Sequence, residues 1–165
     1  MKIDVSSISK TDGAFLDVRI SGIVEGLNEV NDEYLFDKPV SFKGSVENRG
    51  GILILHGDLN TSYHVKCSKC LKDIDSIMNI SIMENFIEEK NKADDESYTY
   101  KGNFIELDRV FKDNIILNLP VRQVCNEDCK GLCPICGANL NVTSCECRED
   151  EVDSRMEVLR NFFNN

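Results

Sequence analysis

Histidine, basic runs and long apolar stretches are all scarce or missing in this chain. Only His56 and His64 occur in 165 residues. Both fall on the polar positions of an alternating segment, where a surface place is the ordinary reading, although His64 stands three residues before Cys67 and could substitute as a ligand there. So small a supply argues against a His-built catalytic constellation. The chain also has no Gly-rich phosphate loop and no nucleophile elbow. Deaminases with a Pro-Cys-x-x-Cys segment need an upstream His-x-Glu, but here His56 is followed by Gly57-Asp58 and His64 by Val65-Lys66. No block of consecutive Lys or Arg appears, and 29 acidic against 19 basic residues leave a formal charge of −10. Such a chain grips bare phosphate backbones poorly, because that affinity comes from cations displacing counterions. A basic partner protein is the easier match. No stretch approaches the roughly 20 apolar residues of a membrane helix. The segment Met1-Lys2-Ile3-Asp4-Val5-Ser6-Ser7 lacks the apolar block of a secretory signal. The expected compartment is the reducing cytoplasm, where thiols stay free or hold metal.

Cysteine, by contrast, is concentrated. Six of eight cysteines stand in one run, Cys125-x3-Cys129-x3-Cys133-Pro-Ile-Cys136-Gly-x7-Cys145-x-Cys147, and the pair Cys67-Ser-Lys-Cys70 lies upstream. Four close pairs are the count that two tetrahedral all-thiolate zinc sites require. Cys133-Pro134-Ile135-Cys136-Gly137 has the form of a zinc knuckle, in which two intervening residues bring both sulfurs to one ion and glycine takes the crowded position that follows. Cys145 and Cys147 face one side of an extended segment, so Cys133, Cys136, Cys145 and Cys147 make one compact site. Cys125 and Cys129, four apart, would share a face of one helical turn ending near Gly131. With Cys67 and Cys70 they make a second site. A competing partition joins Cys125 and Cys129 to Cys133 and Cys136, or swaps the pairs, and spacing does not choose among these. One or two zinc ions are therefore expected. All-thiolate sites are mostly closed and structural, so the reading is of a protein that is not an enzyme and takes no small-molecule substrate. The alternative is a thiol-based redox or metal-handling protein using the same cysteines reversibly, although a redox Cys-x-x-Cys ordinarily opens a helix in a βαβ pattern.

Composition is that of a globular chain, 41% hydrophobic and 29% charged. The expected class is α+β: an antiparallel β-rich part over 1–90 carrying the Cys-x-x-Cys hairpin, an acidic loop over 91–102, then over 103–165 a helix, the cysteine-rich segment and a C-terminal helix packed on the β part. Strands are expected over Ala14 to Val24 and Val40 to Val46. The clearest alternation places Leu53, Leu55, Gly57, Leu59, Thr61, Tyr63, Val65 and Cys67 on one face, with Gly57 as a bend or bulge. Ile74, Met78, Ile80, Ile82 and Phe86 continue it on a second strand, which places Cys67 to Cys70 near a hairpin tip. Leu107, Val110, Phe111, Ile115 and Leu117 approach helical spacing, with Asn103 a candidate N-cap, Asp108 suited to the helix start, and Pro120 marking the end. Val152 to Phe163 reads as a second helix with Asp153 as N-cap. Asp94-Asp95-Glu96 and Arg148-Glu149-Asp150-Glu151 read as solvated surface.

The segment from Leu119 through Cys125, Cys129, Cys133-Pro134-Ile135-Cys136-Gly137 to Asn141, followed by Cys145-Glu146-Cys147, resembles the bacterial YceD family, the large ribosomal RNA subunit accumulation proteins. Cys67-x2-Cys70-Leu71 and the helix running into Pro120 share the likeness. It is specific over 110–147, supported at 67–71 and loose elsewhere, and Ser154 stands where a proline would follow Asp153. The resemblance implies a non-catalytic factor linked to synthesis, processing or accumulation of large-subunit ribosomal RNA. Its expected partner is a ribosomal protein or pre-ribosomal particle, and the acidic charge makes direct RNA contact the less expected route.

Overall fold

The computed structural model describes residues 1–29, 32–91 and 97–147. The chain order is β1 (Lys2–Asp4), β2 (Phe15–Gly22), β3 (Tyr34–Leu35), β4 (Val40–Arg49), β5 (Ile52–Lys66), β6 (Asp73–Glu88), β7 (Tyr98–Tyr100), β8 (Phe104–Glu106) and α1 (Asp108–Leu117). The main sheet runs β2-β4-β5-β6-β7, with β3 beside the far end of β5, and β1 pairs with β8 in a separate two-stranded sheet. The fold is thus strand-rich with one α-helix among the described residues. The expected C-terminal helix over Val152 to Phe163, with Asp153, lies outside them, as do Asp94-Asp95-Glu96 and Arg148-Glu149-Asp150-Glu151.

β5 and β6 form the spine, paired without a break from Leu53 opposite Phe86 to Lys66 opposite Asp73. Their alternation follows from one-sided burial. Leu53, Leu55, Leu59, Thr61, Tyr63 and Val65 on β5 and Met78, Ile80, Ile82 and Phe86 on β6 are buried on one face, which Gly57 and Glu84 share, and the alternate residues point the other way. Gly57 makes no bulge, since its pairing with Gly44 and Ile82 keeps the register of its neighbours. The glycine is needed because the two backbones lie close there.

The helix lies over the buried face of the sheet. Val110, Phe111 and Ile115 form its inner stripe, and the Phe111 ring meets Phe42 at 5.3 Å between centroids. Asn114 donates from Nδ2 to Glu84 Oε1 of β6 at 2.8 Å. Asn103 is not the N-cap. Leu107 occupies that position with no side-chain cap; it is fully buried and its N–H donates to the Met1 carbonyl.

β7 departs from the antiparallel expectation and lies in the stretch read as an acidic loop. It pairs parallel to β6, Phe86 opposite Tyr98. Three residues are too few to show alternation, and packing holds the strand. The Tyr98 ring sits 5.7 Å from Phe86, and its hydroxyl donates to Asp113 of α1 at 3.1 Å. Burial and the Asp113 carboxylate push that phenol up to about 12.

His64 is held by carboxylates and takes no place among the thiols. Nδ1 meets Asp75 at 2.5 Å and Nε2 meets Asp37 at 3.0 Å. Hydrogen bonding, first from Asp75 and then Asp37, raises its pKa above the ordinary 6.5. A raised histidine stabilises the fold fully below its unfolded value and loses that contribution as pH rises through the folded value. We expect the melting-temperature gap between wild type and His64→Gln to be widest below pH 6.5 and to close at higher pH. Thermal melts across a pH series check this; a gap independent of pH would mean that the ring is neutral throughout.

Candidate metal centre

The tip of the β5–β6 hairpin and the chain beyond α1 meet at the first group of thiols. Tyr34 donates its hydroxyl to the Pro120 carbonyl at 2.5 Å, anchoring the segment that leaves α1. Gln123 then lies along the hairpin tip. Its carbonyl accepts the Ser68 N–H at 2.8 Å, its own N–H donates to Ser68 Oγ at 3.3 Å, and its Nε2 donates to Ser76 Oγ at 3.0 Å. These contacts deliver Cys125 and Cys129 to Cys67 and Cys70. The expected helical turn at Cys125–Cys129 is absent. A tighter turn stands there, with the Cys129 N–H directed to the Asn126 carbonyl at 3.2 Å.

All eight cysteines are free thiols. They gather as Cys67, Cys70, Cys125 and Cys129 in one group and Cys133, Cys136, Cys145 and Cys147 in the other, with the sulfurs of each group within 4.8 Å of one another. Cys67 Sγ is 3.9 Å from Cys129 Sγ, and Cys70 Sγ is 3.7 Å from Cys125 Sγ. Zinc–sulfur bonds of about 2.3 Å in a tetrahedron place sulfurs about 3.8 Å apart, whereas a disulfide needs about 2 Å. Each group could therefore hold a metal ion. The competing partition is not the one adopted.

The two Cys-x-x-Cys turns share one backbone pattern. In the first, the Leu71 N–H donates to the Cys67 carbonyl at 2.9 Å and the Cys67 N–H to the Lys72 carbonyl at 2.8 Å. In the second, the Gly137 N–H donates to the Cys133 carbonyl at 2.9 Å and the Cys133 N–H to the Ala138 carbonyl at 2.8 Å. The residue after each second cysteine is left-handed, Gly137 at φ 73° and Leu71 at φ 60°. A leucine there carries the steric cost that glycine avoids, about 1–2 kcal/mol, and Leu71 is exposed. Leu71→Gly should raise stability by about 0.5–1 kcal/mol after the extra chain entropy of glycine is subtracted. Denaturant unfolding of the metal-loaded protein measures it; a loss of stability would mean that the Leu71 side chain makes a contact worth more than the strain.

Electrostatics also suit a cation. Burial opposes the Cys67 thiolate, but N–H groups of Cys70, Cys125 and Lys69 outweigh it and bring the thiol down to about 6. Its group mate Cys125, beside Cys129 above all, is pushed up to about 12. In the second group, N–H groups of Cys136 and Ile135 bring Cys133 to about 6, while Cys136 chiefly pushes Cys147 up to about 12. Neighbouring thiolates repel, so a group cannot ionise fully unaided, and a divalent ion would supply the charge that lets all four lose their protons.

Two residues not singled out from the sequence brace the thiols, Asn141 between the groups and Lys69 within the first. Asn141, in the loop of the second group, directs Nδ2 to Cys129 Sγ of the first at 3.5 Å and accepts the Lys130 N–H at 2.8 Å. Lys69 donates from Nζ to the Cys129 carbonyl at 2.8 Å. The motif-like segment ending at Asn141 carried the signal for the first, but spacing alone assigns no role to an amide.

Comparison with known proteins follows the same residues. The model of the YceD family, described as Large ribosomal RNA subunit accumulation protein YceD, matches residues 55–163. A Zea mays chloroplastic protein named Large ribosomal RNA subunit accumulation protein YCED homolog 1 is 47% identical over 60 residues, 36% of this chain and 20% of that protein. Its Arabidopsis thaliana namesake is 35% identical over 57 residues, 34% of this chain and 18% of that protein. The chain thus spans about a fifth of the length of these plant relatives. The uncharacterized protein YlbN of Bacillus subtilis is 26% identical over 136 residues, 81% of this chain and 79% of YlbN. No solved structure matches the chain. Among the described residues no helix is long and apolar enough to cross a membrane.

Proposed function

Since the chain belongs to the YceD family, we propose that it is a zinc-stabilised, non-catalytic factor that supports accumulation of large-subunit ribosomal RNA. The observation that carries the reading is the family match over residues 55–163, a span that takes in both four-thiol groups. Cys67, Cys70, Cys125 and Cys129 would hold one zinc ion, and Cys133, Cys136, Cys145 and Cys147 a second. Closed all-thiolate zinc clamps a fold and leaves no open coordination position for a substrate. The protein then acts by binding. Leu71, Val121, Ile135 and Val142 are exposed apolar side chains around the two groups, a surface suited to a partner. A net charge of −10 favours a basic ribosomal protein or a pre-ribosomal particle over naked RNA.

The test is depletion of the protein in its own host, with the ratio of large- to small-subunit ribosomal RNA as readout. The ratio falls if the reading is right. Wild-type protein restores it, and Cys70→Ser does not. An unchanged ratio on full depletion would overturn the proposal, as would purification with metabolic enzymes and no ribosomal component.

A further inference from the structure

β2 is an open edge. It pairs with β4 on one side, and among the described residues no backbone hydrogen bond reaches its other side. The Asn48 N–H donates to the Ala14 carbonyl at 2.9 Å, and the register carries that phase along the strand, Leu16 opposite Val46 and Val18 opposite Gly44. Even-numbered residues therefore direct their backbone groups toward β4, while Phe15, Asp17, Arg19 and Ser21 turn theirs outward. Asp17 and Arg19 lie exposed on the outer face, and neither has an ion-pair partner among the described residues. Leu16 and Ile20 lie on the inner face and are only half-buried. Open edges of this kind are templates for another strand.

We propose that β2 pairs antiparallel with β2 of a second copy of this chain, about a two-fold axis at Val18. An antiparallel partner must set outward-facing residues opposite outward-facing residues, so only registers matching odd positions to odd positions are open. Centring on Val18 places Asp17 opposite the partner's Arg19 and Arg19 opposite the partner's Asp17. Shifting the partner by two residues sets Asp17 against Asp17 or Arg19 against Arg19, which like-charge repulsion disfavours. The same centring sets Leu16 opposite the partner's Ile20 and Val18 opposite Val18, so the half-buried inner row continues across the joint. The arrangement is isologous, as a two-fold dimer requires. Such a joint belongs to the smaller class of interfaces, under about 1,200 Å², so the dimer is concentration-dependent.

Sedimentation of the full, zinc-loaded chain over a concentration series tests this. A monomer–dimer equilibrium is expected, and Asp17→Arg or Arg19→Asp should each weaken it roughly tenfold or more. The double variant Asp17→Arg/Arg19→Asp restores opposite charges in the same register and should return the equilibrium to near the wild-type value. These side chains are exposed, so unchanged thermal melts of the variants serve as the folding control. A chain monomeric at every concentration, a dimer indifferent to the single reversals, or a double variant without rescue each overturns the proposal.

Discussion

Wild-type protein should carry two zinc ions per chain, Cys67→Ser one and Cys133→Ser one, with a different ion lost in each variant. The two losses should not be equal in effect. The first group ties the hairpin tip to residues some 60 positions further on, as the Cys67–Cys129 pair at a separation of 62 shows. It is mostly buried, and its removal would detach the chain beyond α1 from the sheet. Structural zinc contributes on the order of 10 kcal/mol against whole-domain stabilities of about 5–15 kcal/mol. At about 2–4 °C per kcal/mol for a chain of this size, Cys67→Ser should lower the melting temperature by tens of degrees. The second group closes within residues 133–147 and is more exposed at Cys136 and Cys147. Cys133→Ser should loosen that segment and leave the sheet nearly as stable as before. Chelators should then strip the second ion first. Metal analysis, thermal melts and thiol labelling with coupled metal release check each part. Loss of a common ion in both variants would put the cysteines in one cluster, and a melt untouched by complete chelation would remove the structural role. One fast-reacting pair with no metal release would point instead to the redox reading.

How far the sequence foretold these features depends on where the constraint lies. The β5–β6 spine was legible because each strand buries one face, so Leu53, Leu55 and Leu59 alternate with His56, Asp58 and Asn60 by necessity. The Cys-x-x-Cys turn at Cys133–Cys136 was legible because its geometry is local. The grouping of Cys125 and Cys129 with Cys67 and Cys70 was not decidable by spacing. It depends on Gln123 lying against Ser68 and on Tyr34 holding Pro120, contacts between segments far apart in the chain. β7 escaped notice because its hold is an aromatic contact and a hydroxyl bond to α1, which leave no period in three residues. The N-cap was misplaced because a buried Leu107 starts the helix on tertiary contacts. Gly57 was read as a bend or bulge, whereas what it permits, with Gly44, is a close approach of β4 and β5 in unbroken register.

That close approach can be measured. Gly44→Ala should cost about 3 kcal/mol or more, since overpacking without room to relax reaches the top of its usual range, and the melting temperature should fall by about 10 °C. A Cβ on Gly44 would overlap the His56 carbonyl and stand 2.6 Å from Gly57 Cα and 2.7 Å from the Phe42 ring. A Cβ on Gly57 would stand 2.5 Å from both Gly44 Cα and the Lys43 carbonyl. Most of these neighbours are backbone, fixed by pairing on β4 and β5, so the strands themselves would have to part. Gly22→Ala is the control, because its Cβ would meet only the flexible Met1 side chain at 3.2 Å, and it should melt within about 1 kcal/mol of wild type. Equal melts for Gly44→Ala and Gly22→Ala would refute the close approach. The defect should also be felt beyond the sheet. Phe42 covers the two glycines and carries Phe111, so pushing its ring outward lifts α1, and α1 leads through Pro120 to the first thiol group. Zinc should therefore leave Gly44→Ala faster than wild type at a temperature where both remain folded.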